Sequence, residues 1–145
     1  MKALFLCLIF VAFSVHAEGG RDPACNDRTF SPVKKAARVE SRLVGASGKI
    51  SPVFHAYRNV SACNKEFFIK LSKESSTNAG KTYALIWLFD NDKESYETIK
   101  TSMDKNGKVH IQAGCALNTY SMEDVFKKIE SGELQAQLGI KNERQ

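Results

Sequence analysis

The chain has 145 residues, a formal net charge of +5 and a hydrophobic content of 43%. This length is typical of one domain that buries its own core. Acidic residues lie among the basic ones through most of the chain. A dense basic stripe is missing, so the composition gives no strong signal for nucleic-acid binding.

The first seventeen residues predict a cleavable secretory signal peptide. One positive charge at Lys2 precedes an apolar run over 4–13, and Val15 and Ala17 occupy the positions of a small-residue cleavage site. That run is too short to cross about 30 Å of hydrocarbon as a stable anchor. We therefore expect cleavage after Ala17 and a secreted or periplasmic chain with no transmembrane segment.

The mature sequence divides into a leader, one domain and a tail. Glycine, proline, asparagine and aspartate in 18–30 predict an irregular leader. Residues 31–140 are expected to form a single globular domain, and 141–145 a loose tail. Ser31 followed by Pro32 is typical of a helix start, with the serine as the cap.

Several segments have the pattern of strands. The run 39–44 predicts a strand with Val39, Ser41 and Leu43 on one side and the other three residues on the opposite side. The run 108–112 alternates apolar and polar residues cleanly, which is typical of a half-buried strand. The segment 82–89 is apolar throughout and suits a central strand covered on both faces. The other predicted strands are 53–57, 67–71 and 134–140.

Two amphipathic helices are predicted in the second half of the chain. Tyr96, Ile99 and Met103 recur at spacings of three and four, which predicts a helix over about 93–104, capped by Asp92. A second helix is predicted over about 122–131, because a capping-box-like sequence at 121–124 precedes its apolar face. Hairpin-joined strands with late helices indicate an α+β fold, either a small antiparallel β-sheet or an OB-like barrel.

The order of these elements over residues 38–115 carries a resemblance. The strand 67–71, a polar turn, the apolar strand ending near Phe89, the helix around 95–100 and the strand at 108–111 follow one another. This layout resembles the OB-fold B subunits of secreted bacterial AB5 toxins and related small exported bacterial proteins of unsettled function. The resemblance implies an OB-like barrel. It transfers no sugar-binding residue, because no motif aligns and 67–89 lacks the cysteines that those subunits pair.

Three cysteines remain after export. An oxidising compartment favours the pairing of two of them. Cys63 and Cys115 lie at the ends of two predicted strands, where a disulfide's Cα spacing can be met. We predict the pair Cys63–Cys115 and leave Cys25 as a free or intermolecular thiol.

No metal or cofactor is expected. The cysteine spacing matches neither a zinc ribbon nor a CxxC motif. Asp90 and Asp92 imitate the start of a calcium loop, but Ser95 and Thr101 stand where glycine and glutamate are required. The sequence 59–61 places a glycosylation acceptor at Asn59 if the source is a eukaryote.

Two interpretations of function follow. His55 and His110 could act as base and acid in a small secreted hydrolase, most concretely a ribonuclease. No spacing supports that pairing, and no catalytic motif stands out elsewhere. The sequence therefore favours a secreted non-enzymatic binding domain, effector-like or similar to a toxin subunit, that recognises an extracellular or periplasmic protein, a glycan or an envelope component.

Overall fold

The computed structural model describes residues 25–140. The helices are α1 (Asp27–Lys34), α2 (Pro52–Val60), α3 (Lys65–Glu74), α4 (Asn78–Asn91), α5 (Lys93–Ser102), α6 (Met122–Glu130) and α7 (Glu133–Leu138). The strands are β1 (Val39–Val44), β2 (Lys49–Ile50), β3 (Lys108–Gly114) and β4 (Ala116–Ser121). The predicted signal peptide, most of the predicted leader and the predicted tail lie outside the described residues.

The four strands form one open, mixed sheet in the order β2-β1-β3-β4. β1 runs parallel to β3, whereas the β1–β2 and β3–β4 pairs are antiparallel. The predicted α+β class is confirmed. The sheet is mixed where an antiparallel one was predicted, and it does not close on itself, so the OB-like barrel is not confirmed.

Four of the predicted strands are helices, and those predictions were wrong. The segments 53–57, 67–71 and 82–89 lie within α2, α3 and α4, and the segment 134–140 overlaps α7 up to Leu138. Short apolar runs do not distinguish a strand from a buried helix by periodicity. The ambiguity is greatest in α4, where residues 82–86 are all buried, so its sequence has no polar face to reveal a helical repeat.

Side-chain caps start three of these helices. The Ser51 hydroxyl accepts a hydrogen bond from the amide of Phe54 at the start of α2. The side-chain oxygens of Asn64 and Thr77 accept backbone amides in the same way at α3 and α4. Such caps satisfy backbone donors that helix ends leave unpaired.

The elements with a clear period were predicted correctly. The strand at 39–44 is β1, and the strand at 108–112 continues to Gly114 as β3. Helices α5 and α6 coincide with the two predicted amphipathic helices to within two residues, with Asp92 and Ser121 as their N-caps. The first helix starts earlier than predicted, since Asn26 caps α1 and Pro32 lies inside it.

The predicted disulfide was also wrong. Cys25 and Cys63 form the bond, with their Cα atoms 5.7 Å apart, and Cys115 is a free, exposed cysteine. The prediction failed because 67–71 is a helix, so Cys63 lies in the α2–α3 connection and not at a strand end. The disulfide ties that connection to the residue just before α1.

The core lies between one face of the sheet and the helices. Val39, Val109 and Ile111 face the helices and are at most 1% exposed. Within residues 25–140, no helix combines the length and the apolarity that crossing a membrane requires.

Candidate functional site

Two hairpins meet at one end of the sheet. Because β1 and β3 are parallel, both strands end there, and each turns back into an antiparallel partner. The amide of Gly45 donates a 3.0 Å hydrogen bond to the carbonyl of Gly114, which joins the two turns. The amide of Gly114 donates in turn to the Ser41 hydroxyl, also at 3.0 Å. We call residues 43–50 and 113–117 the double-hairpin end.

The β3–β4 turn is as short as a hairpin turn can be. Ala113 pairs with Ala116, which leaves only Gly114 and Cys115 between the last paired residues of the two strands. Gly114 has a φ of +57°, and Cys115 has a negative φ. Glycine at the first of two central positions is the signature of a type II′ turn, which matches the twist of the flanking strands. The turn holds the free Cys115 at the exposed tip.

The double-hairpin end carries the exposed apolar side chains of the described chain. Leu43, Ile50 and Leu117 keep 49%, 59% and 56% of their surface exposed, and other large apolar residues of 25–140 are more buried. Leu43 and Ile50 are direct partners in the β1–β2 pair, so their side chains are neighbours. Exposed apolar residues gathered in one place mark interaction surfaces more often than scattered ones do.

The charge at this end has one sign. No aspartate or glutamate occurs in 41–51 or in 109–120. Arg42 and Lys49 are exposed there. Neither makes an ion pair with any residue of the described part of the chain. The surface is therefore apolar and cationic, with its charges available to a partner.

His110 lies on the exposed face of the same sheet. Its neighbours Val109 and Ile111 point into the core, so alternation turns His110 outward. The Nδ1 atom of His110 lies 2.9 Å from the hydroxyl of Thr119, its cross-strand partner on β4. The His110–Thr119 pair therefore lies on the exposed face of the sheet, outside the double-hairpin end.

His55 lies elsewhere and has a different partner. It is exposed on α2, one turn before Asn59, whose Nδ2 lies 3.3 Å from the imidazole Nδ1. Within residues 25–140, no hydrogen bond and no shared partner joins His55 to His110. These hydrogen bonds do not link the two histidines as an acid–base pair, and the ribonuclease interpretation stays a prediction. Asn59, the glycosylation candidate, is exposed.

A concavity of about 330 Å³ lies between α3 and α5. Lys65 and Asp92, which line it, form an ion pair in which Nζ lies 3.6 Å from Oδ2. Hydrogen bonds from the hydroxyl and amide of Ser95, together with Lys65, lower the pKa of Asp92. The capping of α5 explains this carboxylate fully, and opposite charges line the concavity, so it selects for no particular ligand.

Trp87 is a packing residue. Its ring stacks on Phe68 with centroids 4.2 Å apart, and its Nε1 donates a 2.8 Å hydrogen bond to the carbonyl of Ser61. These contacts hold α4 against α3 and the end of α2. Among the described residues, no group of three or more histidine, cysteine or acidic side chains is arranged to hold a metal ion.

Comparisons with protein-family models, with curated proteins and with solved structures gave no match to this chain. The resemblance to toxin B subunits therefore stays an untested expectation.

A sequence signal for the double-hairpin end did exist. A glycine at the first position of a two-residue loop suits a type II′ hairpin turn, so Gly114 is the local signal for a second strand after Cys115.

Proposed function

We propose that this chain is a secreted, non-enzymatic binding domain that docks its double-hairpin end on an apolar, acidic surface. That surface belongs to a protein, a glycan or an envelope component. One observation carries the proposal: the exposed large apolar side chains of residues 25–140 all belong to the two hairpins at one end of the sheet. The same hairpins carry Arg42 and Lys49, which form no ion pair with a described residue, and contain no acidic residue over 41–51 and 109–120.

Export supports the same function. The N-terminal sequence has the charge, the apolar run and the cleavage site of a signal peptide. The Cys25–Cys63 disulfide fits an oxidising compartment. A binding domain needs only a rigid scaffold and an exposed patch, and the packed helices together with the disulfide supply the scaffold.

The size of the patch predicts weak binding by a single molecule. Burying the remaining half of each aliphatic side chain contributes about 1 kcal/mol. Each cation near an anionic surface adds about 1 kcal/mol. With Leu43, Ile50 and Leu117 beside Arg42 and Lys49, the total is about 5 kcal/mol, which corresponds to a dissociation constant of about 0.2 mM.

The experiment uses the secreted chain and two acidic probes, phosphatidylcholine vesicles containing phosphatidylglycerol and immobilised heparin. We expect binding to at least one of them. The variant Lys49→Asp reverses a charge at the double-hairpin end, and Lys105→Asp makes the same change beyond the opposite end of β3. The first should weaken binding by about tenfold or more, and the second should leave it nearly unchanged.

Ile50→Ser tests the apolar part of the patch and should also weaken binding, because it removes a side chain that is 59% exposed. Failure of the native chain to bind either probe, or equal effects of Lys49→Asp and Lys105→Asp, would overturn the proposal. N-terminal sequencing of the exported chain should begin at Glu18, and retention of residues 1–17 would contradict the export step. A control assay with single-stranded RNA should show no cleavage.

A further inference from the structure

The two edge strands of the sheet differ in how well they are protected against pairing with another strand. β2 forms one edge and has only two residues, so it offers little backbone to another strand. β4 forms the other edge, has six residues and pairs with β3 in an uninterrupted register. It contains no charged residue and no proline, and 116–119 are all exposed. Proteins usually protect long edges with charges, proline or a bulge, and β4 has none of these.

The register shows which backbone groups of β4 point outward. Ala116 closes the two-residue turn with Ala113, which makes it a hydrogen-bonded pair of the β3–β4 ladder. Hydrogen-bonded and non-hydrogen-bonded pairs alternate along an antiparallel ladder. Asn118 therefore bonds inward to β3, whereas Leu117 and Thr119 turn their amides and carbonyls away from it. Ser121 is less available, because its carbonyl belongs to the first turn of α6 as the N-cap.

We propose that β4 pairs antiparallel with β4 of a second copy of this chain, about a two-fold axis through Asn118. In this register Leu117 of one copy lies opposite Thr119 of the other, twice by symmetry. Each of these pairs exchanges two backbone hydrogen bonds. The two open sheets become one continuous sheet, and the interface is isologous, as in most homodimers. The inference shares Leu117 with the double-hairpin end, but its argument does not rest on the proposed function.

A second copy fits this edge better than a foreign strand. Side chains that select a foreign strand by charge are absent from β4, which reads Ala-Leu-Asn-Thr-Tyr-Ser. The same lack of charge lets two copies meet without the like-charge repulsion that destabilises facing strands. Asn118 on the axis meets its own copy, and its amide can both donate and accept. Cys115 lies opposite Ser121, so the dimer requires no intermolecular disulfide.

The test measures the oligomeric state of the exported chain carrying Cys115→Ser, by light scattering over about a hundredfold range of concentration. We expect a monomer–dimer equilibrium. Asn118→Lys places two like charges on the axis and should weaken the dimer by about fivefold or more. Asn118→Ser is its control and should dimerise nearly as the parent does.

A charge swap tests the register. Mixing Asn118→Lys with Asn118→Glu should produce a mixed dimer that is stronger than either variant alone, because opposite charges then face each other. A second pair of variants tests the backbone. Thr119→Pro and Thr119→Ala both remove the hydroxyl, but only proline removes the outward amide, so only Thr119→Pro should abolish the dimer.

The thermal transition of each variant confirms that it is folded, and the Asn118 series is decisive if Thr119→Pro does not fold. A chain that stays monomeric throughout the concentration range overturns the proposal. A dimer that is indifferent to the charge at Asn118 overturns it as well, because the contact then lies elsewhere. If the native chain dimerises but the Cys115→Ser variant does not, a disulfide links the pair, and that result would also contradict the proposal.

Discussion

The hydroxyl of Tyr83 on α4 makes two hydrogen bonds with the backbone of Glu40 on β1. It accepts the Glu40 amide at 2.8 Å and donates to the Glu40 carbonyl at 3.2 Å. β2 pairs only with Leu43 and Val44, so β1 has no strand neighbour on this side at Glu40. Tyr83 is fully buried, and burial raises the pKa of its hydroxyl, which therefore stays protonated and can donate. One side chain thus replaces the missing strand.

Tyr83→Phe should lower the free energy of unfolding by about 2–4 kcal/mol, because it leaves a buried amide and a buried carbonyl unpaired. Urea denaturation monitored by fluorescence measures this change. Tyr120→Phe is a suitable control, since Tyr120 is only half-buried and should lose less than about 0.5 kcal/mol. Equal losses in the two variants would show that the Glu40 backbone does not depend on Tyr83.

The disulfide gives a prediction about thiol chemistry. Peptide mapping without reduction should recover a Cys25–Cys63 linked pair. Among the three cysteines of the described residues, a thiol reagent should label Cys115 alone in the folded chain. The two bonded cysteines are separated by 38 positions, and closing a loop of this size stabilises the folded state by about 4 kcal/mol in the chain-entropy model. Cys25→Ala with Cys63→Ala should therefore lower the free energy of unfolding by about 2–4 kcal/mol.

Cys115→Ser is the control for that pair, because an exposed thiol in a turn contributes little packing. Its free energy of unfolding should change by less than about 0.5 kcal/mol. Recovery of a peptide that links Cys63 to Cys115 would contradict the observed connectivity. Labelling of Cys25 in the native chain would contradict it too.

The sequence predicted those elements whose surface period is visible. β3, α5 and α6 each have a more buried and a more exposed face, so their residues recur with a period of two or of about 3.6. β1 was also predicted correctly, although its first three residues are all buried. α4 is covered on nearly all sides, which removes the polar face that distinguishes a helix. Tertiary packing, invisible in a single sequence, decided its structure.

The candidate site was missed for a related reason. Leu117 is far from Leu43 and Ile50 in the chain, and each of the three alone is an ordinary strand residue. Only the parallel pairing of β1 with β3 brings their hairpins to one end of the sheet. That pairing depends on contacts distant in sequence, and its local trace is limited to the glycines of the two turns. His55 and His110 were candidates because imidazole can act as an acid or a base, but in the fold each has a separate hydrogen-bond partner.

Glu130 on α6 connects to α5 through two donors. The ammonium of Lys100 and the hydroxyl of Tyr96 both donate hydrogen bonds to its Oε1. The Lys100 hydrogen bond is the largest cause that lowers the pKa of Glu130, and Tyr96 adds to it against the opposing effect of burial. The same contact raises the pKa of Lys100. The folded state thus prefers the ionised carboxylate more than the unfolded chain does.

The contribution of the Glu130 carboxylate to stability therefore changes with pH in a defined direction. Because the folded-state pKa of Glu130 is lowered from its ordinary value of 4.5, its stabilising contribution is present above that value. It is lost as the pH falls through the lowered pKa. Glu130→Gln should be less stable than the native chain at neutral pH, and the two should converge in strong acid, where both side chains are neutral. Urea denaturation at several pH values measures this convergence.

Glu66→Gln is the matched control, because Glu66 is exposed on α3 and forms no ion pair with another described residue. Its stability should stay within about 1 kcal/mol of the native curve at every pH, because an acid in the first turn of a helix contributes no more than that. A difference between Glu130→Gln and the native chain that stays constant down to strong acid would show that the glutamine disturbs packing. The contact between α5 and α6 would then not depend on the charge of Glu130.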